Sequence, residues 1–138
     1  MTRPHDYPAR AQEAFNRRNL EALTALWAPG IHYVAPGEET TTRAAALARE
    51  QALFTAFPDI VADLGRHHWA GERLVIEGEL SGTHDGELRL GKTQLPATGR
   101  RVVLRFAAVF AFDGGVVATE RVYYDRLDLL QQLGVVPA

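Results

Sequence analysis

The sequence predicts an α+β fold, with helices first and an antiparallel sheet after them. Three observations carry that prediction. Apolar residues recur with a helical period as far as Pro58 and with a strand period from Ile60 onward. Two long apolar runs, Arg100–Phe112 and Val116–Tyr124, flank a tight Asp113-Gly114-Gly115 turn, the signature of a strand hairpin. Asp125 follows directly and is a good N-cap for a short closing helix.

The elements follow in order. Ala11, Ala14, Phe15 and Arg18 share a helical face, so a first helix spans roughly Tyr7–Arg17. Asn19 caps a short second helix carrying Leu20, Leu23 and Trp27, which Pro29-Gly30 stops. Ile31 to Val34 form a short strand before Pro36-Gly37. Thr40, Thr41 and Thr42 offer caps for a third helix running to Phe57, with Leu47, Phe54 and Phe57 on one stripe. Pro58 ends it.

Ile60–Trp69 and Arg73–Thr83 are strands joined by an Ala70-Gly71-Glu72 turn. In the second, Leu74, Ile76 and Leu80 alternate with Val75, Glu77, Glu79 and Ser81, so Glu77 and Glu79 mark a solvated or dimer-forming face. Asp85–Gly99, rich in Gly, Thr and Pro, is an irregular loop or a hairpin extension. The last helix buries Leu127, Leu130 and Leu133, carries Asp128 in its first turn and ends at Gly134.

The expected architecture is one domain over residues 1–138. About four long strands and one short one form a curled antiparallel sheet. Three N-terminal helices and a short C-terminal helix cover it. Such a cone-shaped barrel leaves an interior pocket for a small apolar organic ligand.

Bulk properties exclude several classes. Net charge is -2 and no basic block appears, so nucleic acid is not an expected partner. There is no cysteine, which removes disulfides and thiolate chemistry. No apolar run approaches the roughly 20 residues a membrane-spanning helix needs. The opening MTRPHDYPAR has no apolar h-region, so no signal peptide and a cytoplasmic setting are expected. His67 and His68 are adjacent and point to opposite strand faces, and His32 is isolated, so no metal or cofactor is expected.

The fragments Gly82-Thr83-His84-Asp85-Gly86, Pro96-Ala97-Thr98-Gly99-Arg100, Phe112-Asp113-Gly114, Tyr124-Asp125 and Gln132-Leu133-Gly134 occur in an order that resembles the SnoaL-like polyketide cyclase (ester cyclase) family. That family belongs to the nuclear transport factor 2-like superfamily, neighbour to ketosteroid isomerases, dehydratases and epoxide hydrolases. The resemblance implies a cofactor-free enzyme that closes a ring by an intramolecular aldol step. It implies an Asp and a His on the last two strands and an Asn on the first short strand. Counted from the Asp113-Gly114-Gly115 turn, those positions hold Val122, Ala108 and Tyr33, so none of the three is kept.

Chemistry beside a carbonyl needs a base in a dry pocket and a donor facing the developing oxyanion. Glu120, two residues before Val122 and on the same strand face, is the candidate base; the alternative is a rim carboxylate paired with Arg105. Tyr33 and Tyr124 are candidate donors, or simply pocket wall. His84 could line the pocket mouth or bond a loop carbonyl. Asp125 matches the family pattern but is equally a helix cap. Phe54, Phe57, Phe106, Ala108, Phe110 and Val122 are the expected ligand wall. Three functions lead on this reading: a cofactor-free cyclase, isomerase or dehydratase, a non-catalytic binder, and a dimerising module with a filled core. A homodimer fits all three. A fourth, epoxide hydrolysis by Glu120 and Asp125 bridged by Arg105, is disfavoured because strand alternation puts the two carboxylates on different sides unless the chain turns at Tyr124.

Overall fold

Short polar side chains cap three of the four described helices. The computed structural model describes residues 3–137, so the expected single domain is described except at 1–2 and 138. Asn19 accepts a hydrogen bond from the Ala22 N–H at 3.1 Å, and Thr42 from the Ala45 N–H at 3.1 Å. The elements run α1 (Tyr7–Asn16), α2 (Leu20–Thr24), β1 (Trp27–Ala35), β2 (Glu38–Thr40), α3 (Arg43–Ala56), β3 (Val61–Ala70), β4 (Arg73–Thr83), β5 (Leu88–Leu90), β6 (Thr93–Leu95), β7 (Arg101–Asp113), β8 (Val116–Tyr124) and α4 (Arg126–Gln132).

The main sheet has the order β2-β1-β8-β7-β4-β3, and β5-β6 form a separate hairpin. β3, β4, β7 and β8 make the expected antiparallel meander. Two expectations need correction. The sheet is mixed, because β1 pairs with β8 in parallel. It is also open rather than a closed barrel, with β2 and β3 at its edges.

The second helix does not carry Trp27 either: α2 ends at Thr24, and Trp27 begins a strand of 9 residues. Pro29-Gly30 does not stop an element there. The β1–β8 register slips between Trp27 and His32, so both residues fall where no ladder bond is required. β1 is therefore a fifth long strand. The Asp85–Gly99 segment takes the hairpin form. In α4, Leu129 and Leu133 are buried but Leu127 is 58% exposed, because the helix rolls its buried side one residue from the expected stripe.

Helix α1 is fastened to edge strand β3 through side chains. Asn16 donates to the Ala62 carbonyl at 2.9 Å and accepts from its N–H at 2.7 Å, while Gln12 accepts from the Leu64 N–H at 2.7 Å. The fully buried Leu74 and Ile76 mark the inner face of the sheet, and Glu77 and Glu79 lie outside. Gly78 is opposite Phe106 on the inner face, and a Cβ there would collide with the Phe106 ring. Gly78→Ala is expected to displace that ring and cost about 1–3 kcal/mol, read as a lower denaturation midpoint. An unchanged midpoint would show that the ring has room to yield.

Candidate active site

Between the inner face of the sheet and helices α1 and α3 lies a cavity of about 440 Å³, within the usual range for small-molecule sites. Its wall is mostly apolar, with Phe57, Phe106, Phe110 and Val122 among the lining residues. Phe54 does not line it; its ring packs on that of Phe15, which does, with centroids 5.0 Å apart. Ala108 is fully buried and also stays out of the wall.

Glu120 lies on β8, with Tyr33 of β1 as its register partner on one side and Phe110 of β7 on the other. Alternation aims it inward, whereas Arg105 is on the outer face and pairs with Glu79 at 3.7 Å. The rim pairing of Glu120 with Arg105 is thereby overturned. A bulge near the hairpin sends Val117, rather than Ala118, into the core.

The Glu120 carboxylate makes no hydrogen bond among the described residues. Burial is the main influence on it, and Glu50 adds to burial. Against the pull of Arg49, they push its pKa up from 4.5 to about 7.

Two charged residues of α3, missed in the sequence, complete the polar end. Arg49 and Glu50 both line the cavity and pair with each other at 2.8 Å. The Arg49 guanidinium lies 3.8 Å from the centre of the Tyr33 ring. Burial opposes the Arg49 cation, but Glu50, Tyr33 and Glu120 together hold its pKa above the ordinary value. Burial raises Glu50 against the pull of Arg49.

Tyr7 of α1, also missed, lines the cavity, and burial followed by Glu120 and Glu50 raises its hydroxyl pKa. Burial is the leading cause of the raised values at Tyr33 and Tyr124 as well. All three phenols therefore remain hydrogen-bond donors at neutral pH. The signal that could have found Arg49 is its place among Ala45, Ala48 and Ala52, a stripe at helical spacing that lines the cavity.

The chain matches the profile of the SnoaL-like polyketide cyclase family over residues 6–133. It belongs to that family. No curated protein matches the sequence. Among solved structures, IdmH of Streptomyces antibioticus, a proposed polyketide cyclase, is 27% identical with a TM-score of 0.78, over 96% of this chain and 99% of that one. A proposed SnoaL-like polyketide cyclase from Jannaschia sp. CCS1 is 20% identical with a TM-score of 0.83, over 97% and 93%. AclR of Streptomyces galilaeus, a proposed hydroxylase, is 23% identical with a TM-score of 0.82, over 98% and 83%. The last two likenesses speak for the fold alone.

Within this SnoaL-like chain, Val122 and Ala108 are direct cross-strand partners. The positions to which the resemblance assigns an acid/base pair thus face each other and are apolar. Glu120 lies one inward-facing position away along the same strand, about 7 Å by strand geometry.

His84 and Asp125 are placed elsewhere. His84 is fully buried, packs at a tilt against Phe57 with ring centroids 5.4 Å apart, and does not line the cavity. Its Nδ1 accepts from the Thr98 N–H at 3.2 Å and lies 2.9 Å from the Thr98 hydroxyl, while the two backbones pin Gly99 and Arg100 beside it. It closes the neck of the 84–99 segment, whose Leu88, Arg89 and Gly91 lie at the cavity. Burial lowers its pKa. His84→Ala is expected to loosen this neck, costing about 1–3 kcal/mol for the broken buried bonds. Protease cleavage within 87–95 should accelerate, and an unchanged cleavage rate would show that the neck is held without the ring. Asp125 caps α4, accepting from the Asp128 N–H at 3.0 Å.

No group of three or more His, Asp or Glu that could hold a metal ion is found among the described residues. Among the same residues, no helix is long and apolar enough to cross a membrane.

Proposed function

We propose that this SnoaL-like protein is a cofactor-free enzyme of the cyclase, isomerase or dehydratase kind, acting on a small apolar carbonyl compound. The single observation that supports this is Glu120: a carboxylate without a hydrogen bond among the described residues, facing an apolar cavity, with its pKa raised to about 7. A base so tuned is about half ionised at neutral pH and holds a transferred proton well. Tyr33 and Tyr124 are the neighbouring donors, and the family match and the likeness to IdmH agree with this chemistry. Asp125 and His84 take no part in the reaction.

The test is hydrogen–deuterium exchange at the carbon next to the carbonyl, over a panel of small ketones and β-diketones. The wild type should catalyse exchange for some members, and Glu120→Gln should not. Equal exchange by both proteins would remove Glu120 from the mechanism.

The apolar pair Val122 and Ala108 favours a second reading, a binder that kept the cavity and lost the catalytic pair. Ligand binding without exchange by the wild type would establish it. A homodimer through the outer sheet face, where Tyr123 is 58% exposed, belongs to the same proposal. Light scattering of the wild type and of Tyr123→Asp would test it.

A further inference from the structure

Arg49 is more than the partner of Glu50. It uses only Nη2 in that pair, its Nε is buried without a hydrogen-bond partner among the described residues, and its guanidinium lies against the Tyr33 ring. It lines the cavity from α3, while Glu120 lines the same end from β8, and the two share no hydrogen bond. Arg89, the other lining cation, belongs to the β5-β6 hairpin and is paired with Glu87 at 3.3 Å. The polar end of the chamber therefore offers an incoming molecule a carboxylate and a cation that are not spent on each other.

We infer that Arg49 holds the oxyanion formed when Glu120 deprotonates the substrate, and that the substrate is an enolisable carbonyl compound whose oxygen points to the β1–α3 end of the cavity. The inference deepens the proposed function and rests on it. In the step, Glu120 takes the proton from the carbon beside the carbonyl. The C–H electron pair becomes the new C=C bond, and the C=O π pair moves onto oxygen. Arg49 neutralises that charge while Glu120 is in its neutral, protonated form. Return of the proton to a different carbon of the enolate completes an isomerisation. Alternatively, the enolate carbon attacks a second carbonyl of the same molecule, and that carbonyl's π pair moves onto its oxygen. The proton held by Glu120 then passes to the alkoxide so formed, completing a ring closure and restoring the base. A cation preorganised by an aromatic ring and a neighbouring carboxylate suits this task, since it need not reorganise as charge develops.

Facing Glu120 are Arg49 and Glu50 from α3, Tyr33 from β1 and Tyr7 from α1, and Glu38 of β2 lines the same cavity and acts on Tyr33 and Arg49. Before proton transfer, the ionised Glu120 repels any anion. Afterwards it does not. Glu120→Gln reproduces the second condition.

The test titrates para-nitrophenolate, a coloured enolate mimic, into wild type, E120Q and the double variant E120Q/R49Q in alkaline buffer. E120Q should bind the anion about tenfold or more tightly than wild type, and adding R49Q should cancel that gain, consistent with one charge-assisted hydrogen bond. Equal binding by E120Q and E120Q/R49Q overturns the role of Arg49. If R49Q unfolds the chain, the side-chain Nε–H resonance of Arg49 in E120Q, assigned with E120Q/R49K, supplies the answer. A shift on adding the anion supports the inference, and a resonance that does not move overturns it. Neutral para-nitrophenol in acidic buffer separates the two levels. Binding of the neutral form without anion preference in E120Q leaves the cavity reading standing and removes Arg49 from it. Binding of neither form removes both.

Discussion

Glu120→Gln is expected to abolish turnover while making the folded protein more stable above neutral pH. A positioned general base contributes about 10²- to 10⁴-fold to rate, and Gln keeps the shape but cannot take the proton. The stability gain follows from linkage. The Glu120 carboxyl has an ordinary value of 4.5 and a folded value of about 7. Between those values the folded chain holds more protons than the unfolded chain, so stability falls as pH rises. Below 4.5 the group is protonated in both states and contributes no difference. Above about 7 the full cost of a buried carboxylate is present, on the order of 3 kcal/mol.

Gln carries no such cost. Denaturant titrations should therefore converge for the two proteins in acid and diverge in alkali, with the variant the more stable. Wild-type rate should rise with pH through about 7 as the base ionises. A variant that loses stability together with activity at neutral pH would show that Glu120 supports the fold instead of the reaction.

The parts of the site carried by the sheet were legible in the sequence. The Asp113-Gly114-Gly115 turn places the β7–β8 hairpin, and alternation groups Glu120 with Val122 and Tyr124 on one strand and Phe110 with Ala108 and Phe106 on the other. The register slip beside Phe112, which the turn does not announce, is what brings the two sets onto one face. The fold class, the meander and most caps were legible for the same reason: each is written in local period and local turn chemistry. The parallel pairing of β1 with β8 was not, because it joins segments about ninety residues apart with no local signature. Arg49 and Glu50 escaped because a charged pair on an alanine-rich helix reads as a solvated face until the helix is known to lie over a cavity. Pro29-Gly30 misled because it reads as a breaker, although a register slip in β1 removes the ladder bonds that the proline would have spoiled. Asp125 was legible as a helix cap, since a short acceptor before an apolar stripe is a local signal, whereas His84 was visible as a residue but not as a role. Whether a histidine at a strand end faces a pocket or a loop depends on where the loop returns, and here Thr98 comes back to it.

Arg49→Met should destabilise the chain by about 3–5 kcal/mol at neutral pH, a large part of a typical domain's total. The cause is the charge left behind. Glu50 is only 7% exposed, its Oε1 has Arg49 as partner, and its Oε2 already has none among the described residues. Removing the cation leaves a desolvated carboxylate with no compensation, and Glu120 loses the one influence that lowers its pKa. Two consequences separate this account from simple loss of packing. The cost should shrink in acid, where Glu50 is protonated and neutral. It should also largely vanish in Arg49→Met/Glu50→Met, since replacing both members of a buried pair with apolar groups of similar volume is often neutral or better. Urea denaturation of the two variants across pH measures both. If the double variant is as unstable as the single one, the loss lies in the contact of the guanidinium with the Tyr33 ring, because that contact is missing from both proteins and the unpaired charge from only one.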